Sequence, residues 1–317
     1  MKGKISISNI LKSYGTLIAS LLIIITFTIL RPQYFATISN AINISRQISL
    51  LVVISIGATF VMTIGEFDLS IGAQASLGGI IAAMLAVEGV PIILAFIIPM
   101  AVGAIIGLLN GLIITKFKVL SFIITLGMST ILAGVTFWLT NGATIFENIP
   151  QAFKFIGTER IMGIPLLTII MVILVIAFSF IMKNTLLGRR LYSIGGNEVA
   201  ARVSGINVDR NKIIGFSICG VLSTLAGVLL SSRLGSAHPN GGDGMFLQAY
   251  AAVYIGSTIS KQGVPNIVGT FVGAAILGIL ANGLTILQVP TFMQDLLTGL
   301  IIIGAVILQR LGSNKND

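Results

Sequence analysis

The sequence predicts an all-α polytopic membrane protein of about ten transmembrane helices, and three observations carry that expectation. The 317 residues have a mean hydropathy of +1.03, with 55% hydrophobic and only 9% charged residues, whereas an ordinary soluble domain is about one quarter charged. The apolar residues come in runs near the ~20 residues that, at ~1.5 Å each, cross a ~30 Å hydrocarbon core. Those runs mix Ile, Leu, Val and Gly without strict alternation, which disfavours a β-barrel with its period of two.

In order, the runs fall at roughly 14–30, 45–64, 69–87, 91–115, 120–140, 163–182, 213–232, 246–259, 266–287 and 291–309. The first follows Lys2, Lys4 and Lys12, as in a signal peptide. It is long, however, and RPQYFATISN behind it offers no small-x-small cleavage site, so an uncleaved helix is expected. With the N-terminus inside, most of the 19 Lys and Arg residues face the cytoplasm, and Arg31, Arg46, Lys154, Arg160 and Arg233 lie outside or near the outer interface. The reverse orientation would violate the positive-inside bias in most loops. Both termini are then cytoplasmic. The run at 246–259 is short and Gly-flanked, and Asp295 is placed to cap or orient the last helix. The outside loop 141–162 is too short for a separate domain, so residues 1–317 read as one transmembrane domain. A faint echo, Ile56-Gly57-Ala58-Thr59 and Ile255-Gly256-Ser257-Thr258, precedes a Gly-containing polar break in each half. It raises two inverted repeats of five spans.

Several chemistries are excluded. One cysteine, Cys219, and one histidine, His238, leave no disulfide, cysteine cluster or histidine pair for a metal. No GxxxxGK[ST] loop, HExxH motif or nucleophile–base set occurs, so no cofactor, metal or catalytic residue is assigned. The net charge of +9 is attributed to the membrane bias and not to nucleic acid. An ion-driven carrier is disfavoured, because no chain of intramembrane carboxylates is present.

Two polar stretches remain. In TIGEFDLSIGAQ, residues 63–74, Glu66 and Asp68 sit between apolar runs with no ordinary loop between them. One reading is an interfacial turn in which Gly65 ends a helix and Asp68 or Ser70 caps the next. The other is a discontinuous helix beside a polar passage. Gln74, Asn110 in GLLNG and Asn282 in ANGL are further polar residues within runs. The glycines beside the two asparagines suit close helix packing with an interhelical amide bond, and solute contact is the alternative. Asp68, Ser70, Gln74, Asn110 and Asn282 are therefore the candidate lining of a neutral, mildly polar pathway suited to an uncharged hydroxylated solute.

The second stretch is the cytoplasmic loop 183–212, containing GRRLYSIGGNEVAARVSGINVDRNK and a concentration of charge. Gly195-Gly196 is expected to turn sharply, Asn197 to cap a helix, and Glu198 to suit its positive end. NEVAARVSGI gives about two turns, with Val199, Ala200 and Val203 on one side and Gly205 as terminator. So short a helix is marginal in water. It either docks on another surface or lies in the headgroups held by its arginines.

These residues resemble a family. The 188–212 stretch looks like the cytoplasmic loop of ABC-transporter permeases for ribose and related monosaccharides. TIGEFDLSIGAQ and LGILANGL resemble that family's Asp-Leu-Ser and late Gly-Asn segments, and the likeness runs from about residue 35 to 308. The chain departs from the family pattern at Glu66-Phe67 and at Lys261-Gln262. The resemblance implies the permease subunit of a binding-protein-dependent importer in the bacterial cytoplasmic (inner) membrane. It would be embedded in lipid and paired with a second permease subunit. A cytoplasmic ABC ATPase and an extracytoplasmic sugar-binding protein would complete it, without nucleic acid. Gly196, Asn197, Glu198, Ala200, Ala201, Arg202, Gly205 and Ile206 would form the coupling helix seated on the ATPase. Loop 141–162 and the turns near His238 would meet the binding protein. The implied cargo is a ribose-like pentose or related sugar, the alternatives being an ABC permease for a nucleoside or branched-chain amino acid, or a secondary carrier.

Overall fold

The computed structural model describes residues 20–259 and 263–313. Lys2, Lys4, Lys12, the start of the first apolar run, Lys261, Gln262, Lys315 and the side chain of Asp295 lie outside the described residues. The chain is an all-α membrane protein. Helices α1 (Ser20–Leu30), α3 (Ile38–Thr63), α4 (Ile71–Val87), α5 (Ile92–Phe117) and α6 (Ser121–Thr140) fall on the first five apolar runs. Helices α8 (Leu166–Asn184), α11 (Val208–Leu234), α12 (Met245–Ile259), α13 (Ile267–Ile286) and α14 (Thr291–Ser313) fall on the second five. Between them lie α2 (Pro32–Phe35), α7 (Gln151–Thr158), α9 (Leu186–Gly196), α10 (Glu198–Val203) and a small antiparallel hairpin, β1 (Arg160–Ile161) and β2 (Ile164–Pro165). Among the described residues, six helices, α3, α5, α6, α8, α11 and α13, are long and apolar enough to cross a membrane.

The arrangement follows from what attracts helices in lipid. Apolar side chains gain nothing by leaving lipid tails for each other, so close backbone approach and hydrogen bonds decide the contacts. On α5, Gly103, Gly107 and Gly111 recur every fourth residue and present one bare stripe. There α11 lies so close that a Cβ at Gly107 would sit 2.1 Å from the Phe216 carbonyl oxygen. Helix α11 is the centre, packed against α3, α4, α5 and α7. On its other side Gly57 of α3 meets the backbone of Cys219, whose side chain is fully buried. The pair α12 and α13 is closed in the same way, by Gly256 against Gly269. Helices α3 and α11 are mostly buried, while α5, α6 and α8 turn Ile93, Phe122, Ile123, Trp138, Ile173 and Phe180 outward. Such a surface is intolerable in water and matched to lipid.

Loop 141–162 is folded onto the bundle. Ile145 pairs with Ala237, and the fully buried Phe153 pins α7 down. The Gly157 amide donates to Ser232 Oγ at 2.9 Å, and Arg46 donates to the Gly157 carbonyl at 3.0 Å. The loop thus reaches the end of α11, beside His238, whose ring lies 3.0 Å from Thr144 Oγ1.

Candidate functional site

The TIGEFDLSIGAQ stretch is a true interruption between α3 and α4. Helix α3 ends because Gly65 adopts a left-handed conformation, φ +79°. Its amide bonds the Met62 carbonyl at 3.1 Å and the Glu66 amide bonds that of Val61 at 3.1 Å, a Schellman closure. The next four amides have no helical acceptor, and each is met by a side chain. Phe67 N–H donates to Ser121 Oγ at 3.2 Å, Asp68 N–H to the Tyr250 hydroxyl oxygen at 2.6 Å, and Leu69 N–H to Thr125 Oγ1 at 3.0 Å. Ser70 N–H donates to Asp68 Oδ1 at 2.9 Å. Non-helical backbone at membrane depth survives only when it is satisfied in this way. The interruption is sealed by α6, α12 and its own carboxylate.

Four of the predicted pathway residues meet here. Asp68, Ser70, Gln74 and Asn110 all have zero exposure. Ser70 Oγ donates to Asp68 Oδ1 and accepts from Gln74 Nε2 at 2.8 Å and Asn110 Nδ2 at 3.1 Å. Gln74 Nε2 also reaches Asp68 Oδ2 at 3.4 Å. The cap is therefore Asp68 on the Ser70 amide; Ser70, at the N-cap position, makes no side-chain cap bond, because its hydroxyl is spent on the cluster. Among the described residues no cation lies within ion-pair distance of Asp68. Two carbonyl oxygens, Gln74 Oε1 and Asn110 Oδ1, are buried without a partner, so the cluster retains acceptor capacity that the chain does not use.

Asn282 is not part of this cluster. Its Oδ1 accepts from Asn40 Nδ2 at 3.0 Å near the start of α3, and Asn40 lies ~35 Å along that helix from Thr63 at ~1.5 Å per residue. It ties α13 to α3, the packing role weighed for it. Composition gave it no register relative to Asp68. Tyr250, Ser121 and Thr125 carry the break as much as Asp68 does, and their hydroxyls give no sign in an apolar run of which amide they serve.

The 183–212 loop holds two corrections. Gly195-Gly196 is not a sharp turn but the last turn of α9. Gly195 lacks a side chain because α9 rests on the end of α3, where a Cβ would sit 1.8 Å from the Thr63 carbonyl oxygen. The chain turns at Asn197, whose Oδ1 accepts the Ala200 amide at 2.9 Å and so caps α10. Gly205, φ +81°, ends α10, with the Ile206 amide on the Ala201 carbonyl at 3.1 Å. Ala201 is a second correction. Expected to face a partner, it is buried against its own chain at 4% exposure, while Val199 and Val203 stand out at 72% and 84%. Arg202 bonds Glu198 at 3.2 Å and Asp209 at 3.0 Å. The Glu198 carboxyl is held below the ordinary carboxylate range, chiefly by a hydrogen bond from Lys212 and further by Arg202, against partial burial. Being depressed, it contributes stability above its unfolded value and loses that only as pH falls through the folded one, so α10 stays charged at neutral pH.

A lipid-facing helical bundle with a sealed polar interruption and a folded loop outside the spans is the architecture of a multi-pass membrane protein. Over residues 40–306 the chain matches the family described as branched-chain amino acid transport system / permease component, and it belongs to that family. It is 40% identical over 296 residues to the ribose import permease protein of Escherichia coli (strain K12), covering 92% of each chain. Against that of Bacillus subtilis (strain 168) the identity is 39% over 308 residues, covering 97% of this chain and 95% of the relative. The D-allose transport system permease protein of Escherichia coli (strain K12) is 36% identical over 301 residues, covering 94% and 91%. No solved structure matches.

Proposed function

We propose that this chain is the membrane-spanning permease subunit of an ATP-driven importer that carries a monosaccharide, a ribose-like pentose or related sugar, across a bacterial inner membrane. The observation that carries the reading is the likeness to proteins named for ribose import, which covers more than 90% of both chains. Likeness to an allose permease favours a sugar over an amino acid or nucleoside. The neutral amide and hydroxyl cluster around Asp68 supports the same cargo class.

On this reading the chain is a single permease domain of ten spans with both termini cytoplasmic, built as two inverted halves of five. A second permease subunit completes the pathway. ATP hydrolysis belongs to a separate cytoplasmic subunit, on which α10 seats through Val199, Ala200 and Val203. Gly196, Asn197, Glu198, Arg202, Gly205 and Ile206 shape that helix, and Ala201 holds it to its own chain. Loop 141–162 and the His238 turn receive a binding protein outside. Asp68, Ser70, Gln74 and Asn110 border the pathway when it opens, with Asn282 bracing the opposite end of α3.

The test is reconstitution in liposomes of the chain with a candidate ABC ATPase and a candidate sugar-binding protein from the same organism. Uptake of labelled ribose should require ATP and all three components, and excess allose or xylose should be scored as competitors beside leucine and adenosine. Uptake of leucine or adenosine that sugars do not reduce, or sugar uptake driven by an ion gradient without ATP, would falsify the assignment.

A further inference from the structure

The helix break and the cytoplasmic loop are joined by one side chain. Lys212, in the second turn of α11, gives its ammonium to Glu66 Oε1 at 2.6 Å and to Glu198 Oε2 at 2.9 Å. Glu66 lies in the break, two residues before Asp68, and Glu198 begins α10. Lys212 therefore touches both at once. Its side chain and that of Glu66 keep only 11% and 18% exposure, against 53% and 50% for the outer Arg202–Asp209 pair. The inner contact is poorly screened by water and salt, and the outer one is well screened. A second, steric contact runs beside the ionic one, where the Gly195 backbone lies on the Thr63 carbonyl. The loop grips the break at two points.

A shielded ion pair is a poor way to gain stability, because desolvating both charges offsets their attraction. It is a good way to hold one arrangement, since any movement that separates the partners leaves a charge unpaired in a poorly hydrated place. When α10 shifts, Glu198 and Lys212 move or part. Either event acts on Glu66, and through two peptide units on the Asp68 amide bonded to Tyr250.

We propose that Lys212 is a positioning residue of the transport cycle, transmitting displacement of α10 to the Asp68 break through its simultaneous contacts with Glu198 and Glu66. The inference rests on the importer reading above, and it assigns to Lys212 and Glu66 a task distinct from binding either the ATPase or the sugar. Lys212 acts through the break and touches no cargo. The expected signature is a change in how tightly ATP use and transport are tied, with the folded complex retained.

The experiment measures sugar delivered per ATP hydrolysed by the reconstituted three-component complex. The unaltered chain is compared with Glu66→Gln, Lys212→Met, Lys212→Arg and the double variant Glu66→Gln/Lys212→Met. Because the readout is a ratio, loss of folded protein lowers both quantities and leaves it unmoved. Each charge-removing single variant should lower the ratio roughly five- to tenfold, a coupling effect of ordinary size, with ATP hydrolysis persisting in the absence of sugar. The double variant should be no worse than the poorer single one, since both act through one contact, and Lys212→Arg should stay within about twofold of the unaltered chain. Glu66→Gln leaves Lys212 paired with Glu198, so it is the variant least exposed to misfolding and decides the matter. An unaltered ratio in Glu66→Gln, or losses that add in the double variant, overturns the proposal while leaving the importer reading intact. Absence of ATP-dependent sugar uptake by the unaltered complex overturns both.

Discussion

Asp68 concentrates the residue-scale chemistry. Its carboxylate accepts from Ser70 twice and from Gln74, and its amide leans on Tyr250. Asp68→Asn replaces one acceptor by a donor facing the Ser70 hydroxyl and Gln74 amide, a mismatch worth about 1–3 kcal/mol in a buried site. Initial sugar uptake per permease should fall about tenfold or more at level membrane abundance, and Tyr250→Phe, which strands the Asp68 amide, should follow it. Full uptake in Asp68→Asn would reduce the carboxylate to a turn former. Much of this cluster was legible beforehand, because a carboxylate, a serine and two amides are conspicuous within apolar runs. The hydroxyl donors and acceptors that complete it were not. Ser121, Thr125 and Tyr250 lie 54 or more positions along the chain from the amides they serve, and no local pattern encodes that pairing.

The elements divide the same way. Helix ends were legible where the cause is local: Gly65 and Gly205 supply the left-handed residue that closes α3 and α10, and Asn197 supplies the cap. They were illegible where the cause is a neighbour, as at Gly195, which is glycine because of the Thr63 carbonyl and not because the chain turns there. The face of α10 was read only in part for that reason, since spacing groups Val199 with Val203 but does not say that Ala201 points home. The two valines are the exposed apolar surface of a helix outside the membrane spans, and they set the element-scale prediction. Val199→Glu with Val203→Glu should weaken ATPase association by about 2 kcal/mol or more, roughly thirtyfold in Kd, with the permease still folded and inserted. Co-purification and a titration in detergent measure it, and unchanged affinity would remove α10 from the interface.

At the scale of the whole molecule, the hydropathy of the runs foretold where long helices form, and the glycine beside Asn110 foretold a close helix approach there. It did not foretell that α11 lies at the centre, because partner choice depends on which bare stripes face one another. The proposed topology places Thr158 and Ser193, both exposed, on opposite sides of the membrane. Single cysteines there should separate cleanly: Thr158→Cys labels with an impermeant thiol reagent added outside, and Ser193→Cys only after permeabilisation. Labelling of both from one side would break the span assigned to α8.

That experiment needs no cysteine-free background, and the reason reaches further. The chain's single thiol, Cys219, is hidden where α11 crosses α3, and a thiol so enclosed does not react until the helices around it part. The unaltered permease thus contains its own timer. The rate at which a small maleimide finds Cys219 in the bilayer measures how often the middle of the bundle opens, and the temperature at which that rate climbs marks the loss of the fold.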